Sequence, residues 1–204
     1  MKLIYSPGAC SIGIHALLEE IGKPYEAERE VLQVPVPERP LTKVNPKSKV
    51  PTLVREDGSV LTEFPAIAYY LAKTNPEKHL LPEDTESQVR VLETIDYCVA
   101  TMHMQGFSRL FRPANYAPSE ADHDKVKARG NEIVEKGFQL LDRTLNGHDY
   151  IVGPFSIADA ALFYIEFWGA DRFKMTLPPA LAAHLARMKA RPSVAATLKV
   201  EGFA

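Results

Sequence analysis

Strand and helix signals alternate over about the first 75 residues, and beyond them nearly every stretch carries helical spacing. The chain therefore reads as a small α/β part followed by an all-helical part. Leu3-Ile4-Tyr5 is the first strand candidate, ended by the turn Pro7-Gly8. Ile14, Leu17, Leu18 and Ile21 then fall at i, i+3, i+4 and i+7, and Gly22 is a natural helix stop. Tyr25 to Leu32 alternates apolar and charged residues as a second strand would. Pro35, Pro37 and Pro40 make a stiff irregular segment that suits neither a helix interior nor a central strand. Val50 to Val54 is a short strand, Asp57-Gly58 a hairpin turn and Val60-Leu61 the return. Pro65 fits the first turn of a helix, which carries Ile67, Ala68 and Leu71 on one face and ends before Asn75-Pro76. The order is β-α-β, an irregular stretch, then β-β-α.

Residues 75–85 hold two prolines and several charges, and read as a linker anchored by Leu80-Leu81. Helical patterns follow over 86–111, 119–145, 157–169 and 179–189, with a last short one after Pro192-Ser193. Val134, Phe138, Leu141 and Leu145 form a core-facing stripe. Ser156-Ile157-Ala158-Asp159 is a capping-box pattern with Asp in the place usually held by Glu or Gln.

Composition narrows the function classes. At 46% hydrophobic and 25% charged residues the chain is an ordinary globular protein. Its net charge of −2 and lack of a basic block argue against nucleic acid as a partner. Apolar runs such as Ala160 to Ile165 are far shorter than the ~20 residues of a membrane span. Met1-Lys2-Leu3-Ile4 lacks the apolar core of an export signal. Cys10 and Cys98 are the two cysteines, which is neither a disulfide framework nor a Cys-x-x-Cys pair, so a reducing cytoplasm is the expected setting. The six histidines stand apart, with no metal-ligand spacing, and no metal is expected. Gly-x-Gly-x-x-Gly, a P-loop and Gly-x-Ser-x-Gly are all missing from the sequence.

The chemistry-bearing candidate is Cys10, in Ser6-Pro7-Gly8-Ala9-Cys10-Ser11 between the first strand and first helix. A thiol at a helix start faces unpaired N–H groups and the positive end of the helix dipole, and both favour thiolate. A lone cysteine is also often a small buried hydrophobe. The residues by themselves leave both readings open.

Several segments in order resemble the glutathione transferases, most closely the bacterial group whose reactive residue is cysteine. They are the Cys10 segment, Asn45-Pro46-Lys47-Ser48-Lys49-Val50-Pro51-Thr52-Leu53, and Leu61-Thr62-Glu63 leading into Ala66-Ile67-Ala68-Tyr69-Tyr70-Leu71. Phe107-Ser108-Arg109-Leu110-Phe111-Arg112-Pro113 and the Ser156 box complete the set. The resemblance implies a thioredoxin-like α/β domain over residues 1–76, which binds glutathione as co-substrate. It also implies an all-α domain over 86–204, which supplies the acceptor pocket and the contacts of a homodimer. It gives Val50-Pro51 the role of a cis-proline turn whose Val50 main chain pairs with an extended tripeptide. It gives Glu63 the α-ammonium of the γ-glutamyl group, position 64 the adjacent carboxylate through the backbone, and Thr101 a hydroxyl contact. Glutathione's sulfur is expected beside Cys10, with Ser11 the second candidate for activating it and Tyr5 a third.

Two departures from the family pattern stand out. Many relatives carry Ser where this chain has Phe64, which predicts weaker glutathione binding. Where the cysteine-type relatives place His then Lys, this chain has Met104 and Gln105, with His103 one step earlier. On a helix one position is ~100° of rotation, so His103 is expected to pack rather than to bind. The leading function is conjugation of glutathione to small, mostly apolar electrophiles, a detoxifying chemistry, with Phe107, Phe111 and Trp168 as lining or core. The alternatives are a glutathione-dependent thiol–disulfide oxidoreductase or peroxidase cycling through Cys10, and a non-catalytic binding module of the same fold.

Overall fold

A computed structural model describes residues 1–203. Its contacts divide the chain into two units: one formed by Met1–Asp84 together with the chain from Ala186 onward, and one formed by Thr85–Leu185. The sequence places residues after 186 in the helical domain, and the difference has a physical cause. The last helix buries its apolar side on the first helix of the α/β unit and is tied to it by side chains at both ends.

The first unit is built on a four-stranded sheet of β1 (Lys2–Tyr5), β2 (Glu26–Arg29), β3 (Thr52–Val54) and β4 (Val60–Thr62), in the order β2-β1-β3-β4. β1 and β2 run parallel, while β3 is antiparallel to both β1 and β4. The central strands bury Leu3, Ile4 and Leu53. The edge strand β2 is charged and exposed, with Lys2 bridging to Glu28 at 2.7 Å, a composition that discourages pairing with other chains. β2 is shorter than the sequence suggests because the next residue turns its side chain inward. The buried Glu30 carboxylate accepts from the Val31 N–H (3.0 Å) and the Leu41 N–H (3.0 Å), drawing together the ends of the proline-rich segment. That segment also contains a short helix that its prolines hid, α2 (Leu41–Val44).

Helix α1 (Ser11–Ile21) is buried on nearly every side and ends, as Gly22 predicts, in a left-handed cap at φ 72°. α3 (Phe64–Thr74) starts with Pro65 in its first turn and buries Ile67, Ala68 and Leu71.

The second unit contains α4 (Thr85–Asp96), α5 (Ser108–Phe111), α6 (His123–Leu145), α7 (Ile157–Phe167) and the start of α8 (Pro179–Ala190); the first unit closes with α9 (Pro192–Glu201). The helical run expected over 86–111 is continuous but changes pitch. Tyr97–Phe107 is a π-helix between α4 and α5, and Trp168–Arg172 is another after α7. π-helical segments are rare, and no feature of the local sequence announces one. The stripe Val134, Phe138, Leu141 and Leu145 on α6 is buried as its spacing requires. Gly137 on the same helix lets the π-helix approach: a Cβ there would stand 1.7 Å from Met102 Sδ. Among the described residues no helix is long and apolar enough to cross a membrane.

Candidate functional site

The β1–α1 turn presents Cys10 at the N-cap of α1, in helical conformation (φ −55°, ψ −22°) and without a side-chain cap bond. Its thiol, 9% exposed, donates to the Val50 carbonyl at 3.5 Å, a long contact that ties the turn to the Val50-Pro51 segment. The Val50-Pro51 peptide is cis, as the motif leads one to expect. Burial is the largest influence on the Cys10 thiol and pushes its pKa up to about 12; the Cys10 and Ser11 N–H groups pull it down, Glu63 adds to the rise, and Lys49 opposes it. Of the two readings that the residues left open, burial favours the neutral thiol. The helix-start N–H groups do face the sulfur, but loss of solvent outweighs them, and Cys10 is a neutral S–H donor.

Ser11, the second candidate, is held by the backbone of the same turn. It is fully buried, donates to the Ser6 carbonyl (3.3 Å) and accepts from the Ser6 N–H (3.2 Å). Its hydroxyl braces the turn. Tyr5 is core, with its ring 4.9 Å from that of His15.

Glu63 is the N-cap of α3 and holds φ 71°, ψ 127°, a conformation unfavourable for a side chain with a Cβ. Lys47 Nζ lies 2.6 Å from Glu63 Oε1 and 2.9 Å from Thr62 Oγ1. Both charged side chains are more than half exposed, at 56% and 60%. The sequence did not suggest Lys47; its only signal was a cation three residues before Val50. Asn45 braces the same segment, its amide donating to the Lys49 carbonyl (3.0 Å) and to Thr52 Oγ1 (2.9 Å). Phe64 buries its ring in the first unit, so position 64 offers a ligand main-chain atoms only. Cys10, Val50, Pro51, Lys47 and Glu63 therefore belong to one region: a neutral thiol and a backbone segment beside an exposed, ion-paired carboxylate.

Thr101 lies half-buried on the π-helix of the second unit. In that unit Phe107 and Trp168 are core, their ring centroids 5.4 Å apart and nearly perpendicular. Phe111, 39% exposed, packs against both Trp168 and Phe173 and is the member of the trio that offers open surface. His103 packs its ring against Trp168 at 4.7 Å, in the packing role expected of it. Among the described residues no group of three or more His, Cys, Asp or Glu is placed to hold a metal ion.

The family model for the glutathione S-transferase N-terminal domain matches residues 8–74, and that for the C-terminal domain matches residues 106–201. The chain is 36% identical to glutathione S-transferase GstA of Escherichia coli O157:H7, with both chains covered in full. It is similar to a sphingomonad glutathione S-transferase complexed with glutathione (TM-score 0.87, 36% identity, both chains covered in full). It is also similar to a beta-class glutathione S-transferase of Sphingomonas chungbukensis (TM-score 0.85, 32% identity, both chains covered in full). With both halves matched and full-length identity at this level, the chain belongs to the glutathione S-transferase family.

Proposed function

We propose that this protein is a glutathione transferase in which the neutral Cys10 thiol donates a hydrogen bond to the glutathione sulfur and so favours its thiolate. The thiolate attacks an electrophilic carbon of a small, mostly apolar acceptor and displaces its leaving group. The observation that carries this reading is the placement of Cys10: at the start of α1 and 3.5 Å from the Val50 carbonyl beside the cis Val50-Pro51 peptide, a buried S–H is suited to donate to an anionic sulfur and poorly suited to attack. That state favours conjugation over a thiol–disulfide cycle through Cys10, which needs its thiolate. Full-length similarity to named transferases favours an enzyme over a binding module.

Val50 would pair its main chain with the cysteinyl backbone of glutathione, releasing the weak thiol contact that its carbonyl now holds. Glu63 would receive the α-ammonium group, exchanging its ion pair with Lys47 for one with the ligand. The backbone at Phe64 would face the γ-glutamyl carboxylate. Because Phe64 offers no hydroxyl, glutathione affinity weaker than micromolar is expected by thermal-shift titration. The protein is further proposed to work as a homodimer in the cytoplasm.

The test is turnover of glutathione with a chloronitroaromatic acceptor by the wild-type protein, Cys10→Ser and Cys10→Ala. Conjugation should persist in part in Cys10→Ser, whose hydroxyl still donates, and fall at least tenfold further in Cys10→Ala. Equal activity in all three would remove Cys10 from the mechanism, and no turnover by the wild type would leave a binding module.

A further inference from the structure

The turn that presents Cys10 is held by a residue from the far end of the chain. Glu201, on the last turn of α9, is buried within the first unit. Its Oε2 accepts from the Gly8 N–H at 2.8 Å, and its Oε1 lies 2.8 Å from His15 Nδ1 on α1. A carboxylate only accepts, so His15 donates through Nδ1–H; His15 Nε2 is buried without a partner among the described residues. The ring itself is packed between Tyr5 and Tyr25. The turn thus has two side-chain supports, Ser11 on Ser6 and Glu201 on Gly8, on either side of Pro7. Gly8 has φ 66°, so the backbone there adopts a conformation that glycine tolerates and the supports can select.

The other end of α9 is tied down independently. Glu20, near the end of α1, accepts from Arg191 (2.6 Å) and from Ser193 Oγ (2.6 Å). These paired ties make α1 and α9 antiparallel, with one tie at the reactive turn and one remote from it.

We propose that Glu201 is a positioning residue for the reaction: through Gly8 and His15 it fixes the turn that aims the Cys10 thiol, so the C-terminal helix is part of the thiol-activating apparatus. This rests on the transferase reading, yet part of its test does not need turnover. Hydrogen bonds between a buried carboxylate and a backbone N–H are strong and directional, and leaving the Gly8 N–H without an acceptor releases the turn.

The experiment compares Glu201→Ala, Glu201→Gln and Glu20→Ala with the wild type. Cys10 alkylation by iodoacetamide across pH is followed by peptide mapping, and kcat and the glutathione KM are measured where turnover exists. Glu201→Ala should speed Cys10 alkylation at least fivefold at neutral pH and lower kcat at least tenfold. Glu201→Gln, which keeps an acceptor oxygen for Gly8, should lie between it and the wild type. Glu20→Ala should leave both readouts within about twofold, although it too loosens α9. Equal changes in Glu201→Ala and Glu20→Ala would reduce Glu201 to a docking contact and overturn the proposal, as would no change in either. If the wild type conjugates nothing, the transferase reading fails while the alkylation series still decides the role of Glu201.

Discussion

The starts of α7 and α1 both carry a small polar residue at the N-cap, and they are finished in opposite ways. At α7, Ser156 is extended (φ −146°) and its hydroxyl accepts from the Ala158 N–H at 3.2 Å. Asp159 returns the bond to the Ser156 N–H at 2.8 Å and also accepts from the Ile151 N–H at 2.9 Å. That helix start is closed on itself and sealed from solvent. At α1, Cys10 is already helical, makes no cap bond and turns its N–H groups toward its own sulfur. The first arrangement satisfies backbone donors for stability. The second leaves their field acting on the Cys10 sulfur.

The closed start extends into a buried charged cluster. His184 Nδ1 lies 2.8 Å from Glu166 Oε2, and its Nε2 lies 3.3 Å from Asp159 Oδ1, all three side chains being inaccessible. Burial works against a charged His184, but the Glu166 charge and the bonds to Asp159 and Glu166 win and raise its pKa to about 9. Burial raises Glu166 as well, with His184 pulling the other way. Buried ion pairs of this kind are costly to break singly because a lone charge remains.

The strongest way to break the comparison is Asp159→Ala. It strips the cap, the Ile151 contact and one partner of His184, and should cost ~3–5 kcal/mol, or a fall in Tm of several °C by calorimetry. The unfolding loss should come without a matching change in Cys10 alkylation. If Asp159→Ala melted like the wild type, the contrast between a structural and a functional helix start would collapse.

A second expectation uses pH. His184 and Glu166 both bind protons more tightly in the folded chain than in the unfolded one, so stability must fall as pH rises through their titration. For His184 the contribution is complete below its ordinary value of 6.5 and lost as pH passes about 9. Tm should therefore decline by a few °C between pH 6 and pH 9, and His184→Gln should flatten the slope. A Tm that climbs over that range contradicts the cluster as described.

The smallest effect sharpens the open site. Glu63→Gln removes an exposed ion pair with Lys47, which is worth at most ~1 kcal/mol to folding, so Tm should move by less than about 4 °C. Glutathione KM should nonetheless rise about tenfold, the equivalent of ~1.4 kcal/mol of binding, and initial-rate kinetics would show it. An unchanged KM would remove Glu63 from the ligand.

What was legible along the chain was whatever local chemistry decides. The strand at Leu3-Ile4-Tyr5, the Asp57-Gly58 hairpin, the apolar spacing of α1 and α6, the Gly22 cap and the Ser156 box each depend on neighbours within one or two turns. Cys10, Val50-Pro51 and Glu63 stood out through motif order. What only the tertiary structure decided depends on contacts between residues far apart in sequence. Burial made Cys10 a neutral donor, although its helix position favours the anion. Ser11 was drawn to the Ser6 backbone, and Lys47 was brought to Glu63 across sixteen residues. The π-helical turns, the transfer of α9 to the α/β unit and the reach of Glu201 to Gly8, 193 residues away, have no local signal. Desolvation and long-range hydrogen bonding act only once the chain has closed on itself, so sequence spacing singles out Cys10 while packing sets its protonation and its aim.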